Sequence, residues 1–130
     1  MIYQTQKVPF ETVLGKTFRR VYERNDTYED QLVFEVSDSE RYIMRHEQEC
    51  CETISLEDVC GNLLDLEGCP ITKAMEISEE GAAGTNGETS TWTFYRIATE
   101  KGLVVLRWRG QSNGCYSERV DLYHCLSGAE

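Results

Sequence analysis

The sequence predicts an α+β, β-rich protein: a mostly antiparallel sheet of six or seven strands with one short helix near residues 56–66. Three observations lead there. Residues 31–36 alternate with period two, and 103–109 set Val104, Leu106 and Trp108 on one face. Those runs are rich in aromatic and β-branched residues and are separated by clusters of Gly, Asn, Asp and Ser. Helical spacing of apolar residues is confined to the stretch after Ser55. The sheet is expected either to curl into a partial barrel or to be covered by that helix.

In chain order, Phe18 to Glu23 reads as the first strand and Arg24 to Thr27 as turn chemistry. Gln31 to Val36 is the second strand, with Leu32, Phe34 and Val36 on one face, and Ser37 to Glu40 turns the chain. Arg41 to His46 is the third, which places His46 at a strand end near the surface. Ser55 and Asp58 then have the form of a capping box. Leu56, Val59, Cys60, Leu63 and Leu64 follow the spacing of an amphipathic helix. Gly61 weakens such a helix by about 1 kcal/mol, so a short strand at 53–57 with a helical stretch at 62–66 competes. Gly68 and Pro70 end the element either way. Ile71 to Ser78 is a strand, and 79–90 is a mobile loop. Thr91 to Ala98 and Leu103 to Arg109 pair as a hairpin, with Val104, Leu106 and Trp108 sharing a face. Asn113-Gly114 is a hairpin signal, Cys115 to His124 is the last strand, and 127–130 is a disordered tail.

A chain of 130 residues fits a single domain, 1–130. No apolar run reaches the roughly 18 residues a membrane span needs. Met1 to Phe10 lacks the apolar core of a secretory signal, so the expected compartment is the cytoplasm and the six cysteines are expected as free thiols. The net charge is −10. Residues 29–67 hold twelve acids against two bases, Arg41 and Arg45. Direct nucleic-acid binding is not expected from such a chain, because phosphate contacts need clustered Lys and Arg. The acids serve either as a solvated face that keeps the chain soluble or as a field that attracts a partner with a basic surface. Oligomeric state is not legible.

The chemistry-bearing stretch is 45–52. His46 and Cys50 are four apart and Cys51 follows, so His46, Cys50 and Cys51 form half of a zinc site, with no clean second pair. Zinc is the one cofactor this pattern suggests. As a nucleophile pair, cysteine and histidine would have to work beside Glu47, Glu49 and Glu52, which raise a thiol and oppose the thiolate. His46-Glu47 begins a HExxH motif, but the second histidine is absent. No catalytic residue is assigned. Trp92, Tyr95, Trp108, Tyr116 and Tyr123 lie on neighbouring strands with Arg96, Arg107 and Arg109, the residue types that dominate protein interfaces. The competing reading puts both tryptophans in the core, more readily for Trp108.

Four blocks carry a resemblance: His46-Glu-Gln-Glu-Cys-Cys-Glu52; Glu57-Asp-Val-Cys-Gly61 with Gly68-Cys-Pro-Ile71; Thr91-Trp-Thr-Phe-Tyr95; and Ser112-Asn-Gly-Cys-Tyr-Ser-Glu118. Together, over residues 12–123, they resemble a family of small uncharacterised proteins of bacteriophages and related mobile elements. The resemblance brings no activity with it. It implies expression in a bacterial cytoplasm and a non-enzymatic role in binding a host protein, such as a defence nuclease. If the blocks meet, His46, Glu47, Glu49, Glu52, Asp58, Asn113, Tyr116 and Ser117 form one binding patch, with Cys50 and Cys51 beside it. A host protein with a basic surface is the expected partner; a small zinc domain and a small-ligand binder at the same patch are the alternatives.

Overall fold

The computed structural model describes residues 2–25, 29–47, 52–80, 89–112 and 118–128. Within them, nine strands form two antiparallel sheets. Strands β1 (Ile2–Val8), β2 (Arg20–Asn25), β3 (Asp30–Glu35), β4 (Glu40–Arg45) and β9 (Asp121–Gly128) build the first, in the order β1-β9-β4-β3-β2. Strands β5 (Thr53–Cys60), β6 (Lys73–Glu80), β7 (Thr89–Thr99) and β8 (Gly102–Ser112) build the second, in the order β5-β8-β7-β6.

The alternation dictates how the sheets meet. Val104, Leu106 and Trp108 of β8 and Tyr95 and Ile97 of β7 turn inward, and Leu32, Phe34, Met44 and Leu122 of the five-stranded sheet join them in one buried cluster. Each such side chain contributes about 1.5–3 kcal/mol on burial. Phe18, between β1 and β2, packs at 5.2 Å from the Phe34 ring and 5.9 Å from Tyr42. The β-rich antiparallel class is therefore as expected, but the strands divide between two sheets that cover each other, with no barrel closure.

The helix over 56–66 does not form. The competing arrangement does: strand β5 and then a 3-10 turn at Leu63–Leu66, started by Asn62, whose side chain accepts from the Leu64 amide at 3.0 Å. Leu56 pairs with Trp108 and Val59 with Leu106, and the register shifts between Leu56 and Asp58. That bulge turns two residues three apart toward the same core, which in sequence looks like a helical repeat. Gly61 then has φ +108°, and a Cβ there would lie 2.6 Å from the Leu103 carbonyl oxygen.

Three boundaries also differ from expectation. β1 pairs with β9 from Ile2↔Gly128 to Val8↔Leu122, so Ser127 and Gly128 end a strand instead of opening a loose tail. Strands β6 and β7 extend to Glu80 and from Thr89, shortening the connection expected at 79–90; its residues 81–88 lie outside the described ones. The last strand begins at Asp121, not at Cys115.

Candidate functional site

Two connections carry the chain between the sheets: β4 to β5 through residues 46–52, and β8 to β9 through 113–120. Their described parts are bonded to each other. The His46 Nδ1 lies 2.7 Å from the Arg119 carbonyl oxygen. That oxygen only accepts, so Nδ1 carries the proton and donates. His46 Nε2 then faces Glu52 Oε2 at 3.3 Å. Both residues are buried, at 4% and 3% exposure, so His46 ends its strand in the interior and not near the surface. The Arg119 carbonyl on one side of the ring and the Glu52 carboxylate on the other hold it there.

The second connection is anchored by its own side chains. Glu118 accepts from Thr91 Oγ1 at 2.8 Å, from Ser112 Oγ at 2.5 Å and from Thr89 Oγ1. Burial pushes the Glu118 carboxyl upward, but hydroxyl donation from Ser112, Thr89 and Thr91 outweighs it and holds the group below its ordinary value. The Tyr95 hydroxyl donates to the Val120 carbonyl at 3.2 Å and to Glu76 at 3.1 Å. Burial, with the Glu76 charge, raises that phenol far above its usual range. Gly110 permits the crossing, since a Cβ there would lie 2.6 Å from the Glu118 carbonyl oxygen and 2.7 Å from its Cβ. Nothing in the spacing of the sequence pointed to Glu118 or Gly110; only the crossing of two distant segments gives them their roles.

Of the expected patch, the structure brings His46 and Glu52 together and sets the backbone carbonyl of Arg119, two residues beyond Ser117, against His46. Glu47 is exposed beside His46. Asp58 is exposed but stands five residues beyond Thr53, about 17 Å along β5 at roughly 3.3 Å per residue, and so is not part of that cluster. Glu49, Cys50, Cys51, Asn113, Tyr116 and Ser117 lie outside the described residues. Among the described residues no group of three potential metal ligands converges, and Cys60, Cys69 and Cys125 form no disulfide.

Many acids of the 29–67 segment have internal work. Glu29 pairs with Arg45 at 3.1 Å, Asp30 accepts from the Leu56 amide at 2.9 Å, and Glu35 and Asp38 both bind Arg19, at 2.6 and 2.5 Å. Glu40 meets His124 at 2.7 Å, and Glu67 accepts from the Val21 amide at 2.8 Å. Asp38, Glu47, Glu57 and Asp58 are the exposed members among the described residues.

Residues 11–122 match a family defined by a domain of unknown function, DUF7448. The chain belongs to that family. Comparison with curated proteins and with solved structures gives no match.

Three of the exposed large apolar side chains of this DUF7448 domain stand on the outer face of the four-stranded sheet. Its cross-strand rows run Met75–Arg96–Val105, Ile77–Phe94–Arg107–Asp58 and Glu79–Trp92–Arg109–Ser55. Met75, Ile77 and Leu103 are 45%, 40% and 48% exposed. The Arg107 and Arg109 guanidinium carbons lie 4.7 and 5.3 Å from the Trp92 ring centroid. Of the aromatic and arginine residues expected at an interface, Trp92, Arg96, Arg107 and Arg109 stand here. Tyr95 and Trp108 are core residues at 2% and 1%, Tyr123 is buried on the other sheet, and Tyr116 is outside the described residues. No helix among the described residues is long and apolar enough to cross a membrane.

Proposed function

We propose that this protein is a non-enzymatic recognition domain that binds another protein through the outer face of the four-stranded sheet. The observation that carries the reading is that face: aliphatic and aromatic side chains in its middle, arginines stacked on Trp92, and the exposed acids Asp58 and Glu79 on its two edge strands. An apolar, arginine- and aromatic-rich centre with a charged rim is how protein interfaces are built. In line with the phage-type resemblance, the partner is a bacterial host protein in the cytoplasm, whose basic surface meets the acids at the rim, Glu47, Glu57, Asp58 and Glu79, and whose apolar surface meets the arginine- and Trp92-bearing centre; a nucleic-acid-binding defence factor is the favoured class. The buried state of His46 and Glu52 supports binding over catalysis, since neither reaches solvent where a substrate would be. The test is capture from a bacterial lysate. Wild type retains a discrete basic protein that elutes as salt approaches about 0.3 M, where screening shortens charge attraction to a few ångströms. A Glu57→Lys, Asp58→Lys, Glu79→Lys variant loses it. Equal capture by that variant sinks the assignment of partner charge.

A second reading, a zinc domain, is favoured by the orientation of His46. Donation from Nδ1 to a backbone carbonyl is how metal-bound imidazoles are usually held. Two ligands each about 2.1 Å from one tetrahedral zinc lie about 3.4 Å apart, close to the 3.3 Å between His46 Nε2 and Glu52 Oε2. Cys50 and Cys51, which would complete the set, precede Glu52 in sequence. Elemental analysis with a thiol count decides: about one zinc per chain, with two thiols protected, establishes the centre, and no metal with all thiols titratable removes it.

A further inference from the structure

We propose that the outer face of the five-stranded sheet carries a binding site for a small phosphorylated organic molecule. A cleft of about 270 Å³ opens there, lined by Thr5, Arg24, Ser39, Arg41, Ile43 and Ser127 among others. The decisive residue is Arg41. It sits on β4 in the middle of the sheet, half-buried, directly across from Glu35 on one side and Cys125 on the other. Glu35 is the expected counter-charge, yet its carboxylate binds Arg19 at 2.6 Å, and Asp38, the next acid along the chain, binds Arg19 as well. No acid among the described residues pairs with Arg41. A partly desolvated guanidinium left without an anion is costly, and a bound anion relieves it.

Arg24 adds a second cation to the same cleft. Its Nε and Nη2 donate to Gln31 Oε1 at 2.9 and 2.5 Å, which fixes the guanidinium and leaves Nη1 uncommitted. Two guanidinium groups with hydroxyls from three segments match an anion with several acceptor oxygens, and arginine's planar fork suits phosphate in particular. Ile43 gives the cleft an apolar floor for the organic part of the ligand. The site is on the opposite sheet from the recognition face and does not depend on it.

The test uses the full chain, titrated calorimetrically with AMP, with adenosine and with inorganic phosphate. AMP is expected to bind saturably and adenosine not at all. Phosphate competes weakly. Arg41→Gln weakens AMP binding by about tenfold or more, the effect of losing a charge-assisted contact, and Arg24→Gln weakens it less. Circular dichroism of each variant checks the fold. The proposal is overturned if AMP shows no saturation up to about 10 mM, if adenosine binds equally well, or if both variants bind AMP like wild type. Tighter binding of a short single-stranded oligonucleotide than of AMP also overturns it, in favour of a nucleic acid.

Discussion

The two sheets turn their outer faces to very different surroundings. On the five-stranded sheet the outer row holds Val33, Ile43 and Tyr123, at 0%, 8% and 8% exposure, in register across β3, β4 and β9. Long polar side chains lie over that face: the Arg45 guanidinium stands 5.6 Å from the Tyr123 ring while paired with Glu29, and Arg20 stands 4.6 Å from Tyr22. On the four-stranded sheet the corresponding rows leave Met75, Ile77 and Leu103 almost half exposed. Strand alternation is the same in both. What differs is cover, and the lesson is that one outer face, outside the cleft beside Arg41, is a second, thin layer of the protein's own interior while the other is left open along its middle rows.

Matched substitutions sharpen that contrast. Val33→Asp puts a charge where no water reaches, and the expected loss is about 3–5 kcal/mol or failure to fold, read as a collapse of the urea midpoint. Glu52→Ala, which removes the buried group facing His46 Nε2, is expected to cost about 2 kcal/mol by leaving a buried polar atom without its neighbour; an unchanged midpoint would show that the crossover does not tie the sheets together. The Glu118 anchor should appear in the pH dependence. Its carboxyl lies below its ordinary value in the fold, so its contribution is complete above the unfolded value of about 4.3 and disappears as pH falls through the folded value. Glu118→Gln should therefore flatten the acid limb of stability between about pH 5 and the folded value, while leaving its shape above pH 6 unchanged. Smallest of all is Ile77→Asp on the open face, expected to change stability by about 0.5 kcal/mol or less. A large loss there would mean that the face is internally supported after all.

Much of this was legible in the chain. Period-two runs located the strands around Tyr95–Ile97 and Val104–Trp108, because each buries one face and the pattern records it, whereas the Leu32–Phe34 strand is buried on both faces. Leu56 and Val59 misled, because a β-bulge gives two inward residues the spacing of a helix. β1 was missed since its partner, β9, lies at the other end of the chain, and pairing over that separation leaves no local trace. At the site, His46 and Glu52 were singled out by composition, but their burial was not. It depends on the Arg119 carbonyl, a backbone atom with no signature in sequence. The acidic stretch 29–67 suggested one charged surface, whereas Arg19, Arg45 and His124 and the amides of Val21 and Leu56 engage half of it.

The measurement that bears most directly on the recognition role is partner capture by Ile77→Asp, Leu103→Asp protein, beside wild type and with thermal unfolding run on the same samples. The account predicts an unfolding midpoint within a few degrees of wild type, since a change of about 1 kcal/mol shifts a domain of this size by only that much, and loss of the captured protein. Undiminished capture by the folded variant would contradict it and move the contact surface elsewhere on the molecule.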